Sequence, residues 1–262
     1  MSARVRLARA TASGVRTSLL PVHGAVGIES VGLEPVGEVM GCFAQNLGWT
    51  RSGWGVGFGL SVDFGPYERA VSSGYHHALS RLAAEARALG ADGVVDVRLT
   101  ADHLESGVRE YVALGTAVGA RSSQRPAALF TTELPGQDVA KLMHSGWVPV
   151  RIALGIAVSG RYLDQGSRWQ MSLGAGNTEV DAHTRLITDV RAQARTNFRE
   201  HAAEEMADGA LVSDMSLYTW QQEINEQRVL LCAESKLLGT TVARFARQKS
   251  ARPSSLTIMP LK

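Results

Sequence analysis

The side chains able to do chemistry are few and scattered: seven histidines and two cysteines in 262 residues. A bound metal needs several imidazole, thiolate or carboxylate donors converging on one point. His76 and His77 are adjacent on a predicted helix, so they point about 100° apart and cannot share one ion. His201, Glu204 and Glu205 have i, i+3 and i+4 spacing, which presents N and O donors from one helix face. The same spacing also describes a solvated charged face. His103, beside Asp102 and Glu105, is a second metal candidate in a predicted hairpin turn, where three polar residues also suit solvent. Cys42 and Cys232 fall in predicted strands and read as small buried hydrophobes. For catalysis there is no GxSxG elbow, P-loop or HExxH. We therefore expect a non-enzymatic protein.

Glycine-rich GWTRSGWGVGFG (48–59) opens on Gly48 and then alternates glycines at 53, 55, 57 and 59. That is not GxGxxG, and no dinucleotide-binding βαβ unit surrounds it. If extended, it turns Trp54, Val56 and Phe58 to one side. Such an apolar ribbon suits subunit contact, because an exposed patch of this kind is a liability on a monomer.

Composition bounds the rest. Hydrophobic residues make up 45%, charged residues 20%, and the net charge is +2. The 27 basic residues include only four lysines (141, 236, 249 and 262), an arginine bias that does not by itself mark a nucleic-acid partner. No apolar run approaches membrane-spanning length. The first twenty residues lack the apolar core of a secretion signal. Two distant cysteines outside any CxxC fit a reducing, cytoplasmic setting.

The positions of these residues follow from an internal duplication. LLPVHGAVGIESVGLEPVGEVMG (19–41) lies without gaps on ELPGQDVAKLMHSGWVPVRIALG (133–155). Leu20-Pro21 falls on Leu134-Pro135, Gly32 on Gly146, Pro35 on Pro149 and Gly41 on Gly155. Ala91-Asp92-Gly93 then matches Ala207-Asp208-Gly209, and Leu114-Gly115-Thr116 matches Leu238-Gly239-Thr240. We expect domains at 18–121 and 129–247, a polar linker at 121–128 and a loose tail at 248–262. The metal candidates do not recur: His76 and His77 map to Ala192 and Gln193, and Cys42 maps to Ile156.

Each copy reads as β-α-β-β. The first strands are Val36–Phe43 and Val148–Val158. The helix of copy one carries a stripe at Tyr67, Val71, Tyr75, Ala78, Leu82, Ala86 and Leu89, a 3.6-residue period. A constant shift of 116 gives His183, Ile187, Arg191, Ala194, Phe198, Ala202 and Glu205, a stripe whose ends turn polar. Ala-Asp-Gly ends each helix, with Gly expected at a positive φ. Hairpins follow, from alternating Val95, Val97 and Leu99 to Val108–Val118, and from Leu211–Tyr218 to Val229–Val242. Eight extra residues of copy two are expected in the connection near TWQQEINEQ. The fold class is α+β: two tandem domains, each an antiparallel sheet with one long helix on one face. Such a sheet leaves edges and a second face to cover.

GPYERAV (65–71), EARALGADGVV (85–95), YVALGTAV (111–118) and the strand with Gly41 resemble the YbjQ-like family, which is labelled heavy-metal-binding. Copy two keeps Ala-Asp-Gly and Leu-Gly-Thr, while Tyr67-Glu68 becomes His183-Thr184. The resemblance implies a dodecin-like subunit, a divalent heavy metal as ligand, and a ring-shaped homo-oligomer, pentameric in single-domain relatives. The tail adds a second resemblance. Leu256, Ile258 and Leu261 in SSLTIMPLK follow a Pro/Ser-containing stretch and are similar to the C-terminal tags by which cargo proteins enter encapsulin shells. Met259-Pro260 stands where those tags usually have Gly-Ser. Folding back onto its own domain is the alternative for this tail.

Overall fold

The computed structural model describes residues 17–47, 64–104, 107–123, 125–163, 165–172, 174, 176–205, 207–225, 228–245 and 259–260. Trp54, Val56, Phe58, Leu256, Ile258 and Leu261 lie outside them, as does Glu105. The first unit runs α1 (Val22–Ser30), β1 (Leu33–Asn46), α2 (Gly65–Ala88), β2 (Gly93–His103) and β3 (Val108–Ala120). A short strand β4 (Phe130–Thr131) leads to the second unit: α3 (Gly136–His144), β5 (Trp147–Tyr162), α4 (Gln165–Gln170), α5 (Asp181–Glu204), β6 (Gly209–Asn225) and β7 (Arg228–Arg244). A last strand, β8 (Met259–Pro260), closes the series. The fold is α+β with two tandem units, and the short helices α1 and α3 are an element that the β-α-β-β reading lacked.

The sheets have the orders β1-β3-β2-β4 and β5-β7-β6-β8. The three long strands of each are antiparallel. The fourth strand is borrowed in both cases. β4 pairs in parallel with Gly93 and Val94, and β8 pairs antiparallel with Gly209 and Ala210. At least part of the tail therefore folds back along its own sheet.

The matched residues have backbone jobs. Gly32 and Gly146 take φ of 77° and 82° in the turns before β1 and β5, a region closed to most side chains. Pro35 and Pro149 sit at matching register shifts of their strands, where a missing N–H is tolerated. Gly41 and Gly155 lie directly under helix backbone: a Cβ would come within 1.9 Å of Ala78 O and 2.1 Å of Ala194 O. The Ala-Asp-Gly turn works differently from expectation. The positive φ belongs to Gly90, at 72°, while Gly93 opens β2 beneath the Phe130 ring. The aspartate recurs because it binds the end of the neighbouring strand. Asp92 Oδ2 accepts from Ala120 N at 2.7 Å, and Asp208 Oδ2 accepts from Arg244 N at 2.8 Å.

Three further expectations are corrected. The α5 stripe does not turn polar at its N-terminal end. Ala182, Leu186, Val190, Ala194, Phe198 and Ala202 are its buried row. The two helices run in step at an offset of 116 from Gly65 and Asp181 to Ala88 and Glu204, but the N-terminal half of α5 buries the row one residue before the shifted stripe, Ala182, Leu186 and Val190 in place of His183, Ile187 and Arg191. The strict alternation of β2 also breaks. Asp96 takes a φ of 52° at a bulge between Val95 and Arg98, and Val94, Val95, Val97 and Leu99 are all buried. Finally, the extra residues of copy two lengthen the hairpin rather than its loop: β6 and β7 stay paired out to Asn225 and Arg228.

Each sheet packs one face on its own long helix. The edges of β1 and β5 are covered by side chains instead of strands. Glu85 accepts from Met40 N at 2.6 Å, and Arg81 donates to Cys42 O. On β5, Asn197 donates to Ile156 O at 2.6 Å and Thr131 accepts from Ile152 N at 3.3 Å. These contacts satisfy edge groups that would otherwise template another strand.

Candidate functional site

The concentration of buried polar chemistry is the junction of the two units. The sheet face of the second unit turned away from α5 carries Ile152, Leu154, Ile156 and Leu238, which join the core of the first unit. Beside them Arg109 and Glu234 form a bidentate pair, Nη2 to Oε1 at 3.0 Å and Nη1 to Oε2 at 3.1 Å. Both side chains are 7% exposed. Tyr67 Oη donates to Glu234 Oε2 at 3.1 Å, and Arg109 Nη1 donates to that hydroxyl at 3.2 Å. Desolvation opposes charge on Arg109, but the hydrogen bond and charge of Glu234 outweigh it and hold the guanidinium pKa up. Burial, reinforced by the Glu234 charge, raises the Tyr67 phenol, and burial pushes Tyr75 up to about 12. Burial lowers Lys236, whose ammonium lies 5.3 Å from the Tyr75 ring centroid. Arg109 of the first unit and Glu234 of the second neutralise each other, an arrangement that holds two units in register.

Two clefts flank it. One, of 390 Å³, is lined by Tyr75, Asp102, His103, Arg109, Tyr218 and Lys236 among others. His103 is the last residue of β2, paired with Arg109, rather than part of the turn. Its ring lies 6.5 Å from that of Tyr218. The other cleft, also 390 Å³, runs between α2 and α5 and contains His76, Leu79, Arg151, Ile152, His201 and Glu205. His76 and His201, one from each unit, approach to 5.1 Å between ring centroids, a meeting that the sequence spacing does not signal. Glu204 is exposed, whereas Glu205 is engaged by Arg151 Nε at 3.2 Å. His201 Nδ1 lies 3.1 Å from both Leu154 N and Leu154 O. The structure thus brings His201 and Glu205 to one cleft, and places His103 in the other.

These residues do not fit a metal ion. Among the described residues no three His, Cys, Asp or Glu side chains form a group able to hold one. The cysteines are poor thiolates. A hydrogen bond to Glu110 and burial raise Cys42, and burial pushes Cys232 up to about 12.

One carboxyl at the junction gives a pH test. Burial holds Glu133 above the usual carboxylate range, against the opposing hydrogen bond donated by Thr240. A folded-state pKa raised above the unfolded one favours the neutral acid, so its cost is absent below the unfolded pKa and full above the folded one. Glu133→Gln is therefore expected to raise the urea midpoint at pH 7. That advantage should shrink as pH falls toward about 4.3, the ordinary glutamate value.

Comparison with known proteins follows this picture. The family model described as "Putative heavy-metal-binding" matches residues 58–121. That description names no catalytic activity. The chain is 30% identical over 247 residues to an encapsulin nanocompartment protein of Mycobacterium tuberculosis, covering 91% of this chain and 89% of that one. It is 42% identical over 52 residues to a UPF0145 protein of Halobacterium salinarum, covering 20% of this chain and 50% of that protein. A UPF0145 protein of Natronomonas pharaonis is 44% identical over 55 residues, 21% of this chain and 53% of its own. No solved structure matches. Among the described residues no helix is long and apolar enough to cross a membrane. The chain thus carries a YbjQ-like family domain in its first unit and, across both units, belongs to one family with the encapsulin nanocompartment protein of Mycobacterium tuberculosis.

Proposed function

We propose that this chain is a non-enzymatic, ring-forming, cytoplasmic component of an encapsulin-type nanocompartment, held to the shell through its C-terminal peptide. The observation that carries this reading is the similarity to an encapsulin nanocompartment protein over 91% of the chain. We place the working units at 18–121 and 129–247, with the tail from 248 as the tether. The tail supplies the chemistry of docking: Leu256, Ile258 and Leu261 fill apolar pockets on the shell wall, and the Pro/Ser stretch before them gives reach. A ring presents several tails at once, so weak individual contacts sum to firm retention. The pairing of Met259–Pro260 with β6 covers two residues, a small contact for docking to displace.

The decisive experiment is truncation after Ser254, with the shell protein co-expressed. The shortened chain should keep its oligomeric mass and lose co-purification with the shell. If truncation instead dissociates or destabilises the oligomer, the tail is a structural strand and the docking reading fails.

A further inference from the structure

We infer that the cleft between β2 and β6 binds a small aromatic carboxylate, with its carboxyl group on Lys236 and its ring against Tyr218 and His103. This binding is separate from shell docking, because none of these residues lies in the tail.

Both units bound the cleft. Leu99, Ala101 and His103 come from β2, Leu217 and Tyr218 from β6, and Lys236 from β7. Its 390 Å³ falls at the lower end of the roughly 300–1,000 Å³ of small-molecule pockets. Lys236 is half-buried, and its ammonium lies 5.3 Å from the centroid of the Tyr75 ring. Among the described residues it makes no hydrogen bond or ion pair. Glu234, two residues away on the same strand, is committed elsewhere: Arg109 takes both of its oxygens and Tyr67 donates to one of them. Burial lowers Lys236 against the opposing charges of Asp214 and Glu234. A carboxylate brought alongside the ammonium offsets that cost.

The duplicated scaffold does not require these side chains. Leu238 matches Leu114, which puts Val112 in the place of Lys236. The strand register agrees, since Lys236 pairs with Ser216 and Val112 with Thr100. Tyr75 and Tyr218 correspond to Arg191 and Asp102. The lysine and its aromatic surroundings are thus peculiar to this one cleft.

The lining also selects the occupant. Arg109 and Glu234 neutralise each other, so the inner end of the cleft is left with the charge of Lys236. Asp102 at the cleft and Asp214 beyond it are both exposed, and water screens them. They weigh against a dianion such as phosphate more than against a monoanion in direct contact with the ammonium. Leu99, Ala101 and Leu217 make an apolar wall. Tyr218 is 58% exposed and is backed by Trp220, its ring stacked at 5.5 Å. The His103 ring stands 6.5 Å from that of Tyr218, and together they offer faces to a planar ring.

Titration calorimetry on the full chain tests this, with benzoate, benzamide and inorganic phosphate as probes. Benzoate should bind. Benzamide, with the same shape and no charge, should bind about tenfold more weakly or worse. Lys236→Met should weaken benzoate by about tenfold or more, with a urea midpoint unchanged or higher, since it removes a half-buried charge. Tyr218→Ala, at an exposed position, should weaken benzoate and benzamide alike by about threefold or more. The inference is overturned if benzoate fails to bind at millimolar concentration, or if benzoate and benzamide bind alike. Unchanged benzoate affinity in either variant also overturns it, and so does phosphate binding as tight as that of benzoate. The titration needs no shell protein, so its failure and the failure of docking are read separately.

Discussion

Arg109→Met is expected to destabilise the chain by about 3–5 kcal/mol, because it strands a buried carboxylate without its partner. Glu234 would keep only the Tyr67 hydroxyl of the contacts that now surround it. The double variant Arg109→Met/Glu234→Leu should recover most of the loss, since removing both members of a buried pair is far cheaper than removing one. Urea unfolding of the four proteins closes the cycle. A single-variant loss under about 1 kcal/mol would place the pair among solvent-screened surface bridges, against its 7% exposure.

The second large effect concerns the glycines beneath the helices. Gly41→Ala is expected to cost about 3 kcal/mol or more, because overpacking against backbone cannot be relieved by a rotamer change. The new Cβ would lie 1.9 Å from Ala78 O and 2.5 Å from Leu82 N, so α2 must lift off the sheet. Gly155→Ala should behave alike, with Ala194 O at 2.1 Å and Phe198 N at 2.6 Å. Gly37→Ala is the control on the same strand. Its Cβ meets only Leu89 Cδ1 at 3.5 Å, an ordinary contact, and its cost should stay below about 1 kcal/mol. Thermal melts distinguish them, and equal losses at Gly37 and Gly41 would refute the steric account.

The sequence by itself determined the duplication, the element types and the positions where side chains are forbidden. Gly32, Pro35 and their partners recur because each answers a local backbone demand, and local demands leave a local trace, whereas Gly41 and Gly155 recur because a helix backbone lies against them. The helix stripe of copy one was legible for the same reason: Val71, Tyr75, Ala78, Leu82 and Ala86 follow a period set by helix geometry alone. The second stripe was misread because the N-terminal half of α5 buries a neighbouring row, one residue and about 100° away from the row shifted over from α2. The borrowed strands were illegible, because two-residue edge pairings carry no periodic signal.

Only the tertiary structure decided the junction. Arg109 and Glu234 stand 125 positions apart and do not occupy matching places in the repeat: Arg109 corresponds to Ala233, and Glu234 to Glu110. His76 and His201 likewise meet across two units from different helical rows. No spacing rule joins such residues, because their proximity comes from how one folded unit seats on the other. That seating also decides which sheet face is covered, leaving Met40 in solvent while its counterpart Leu154 is buried.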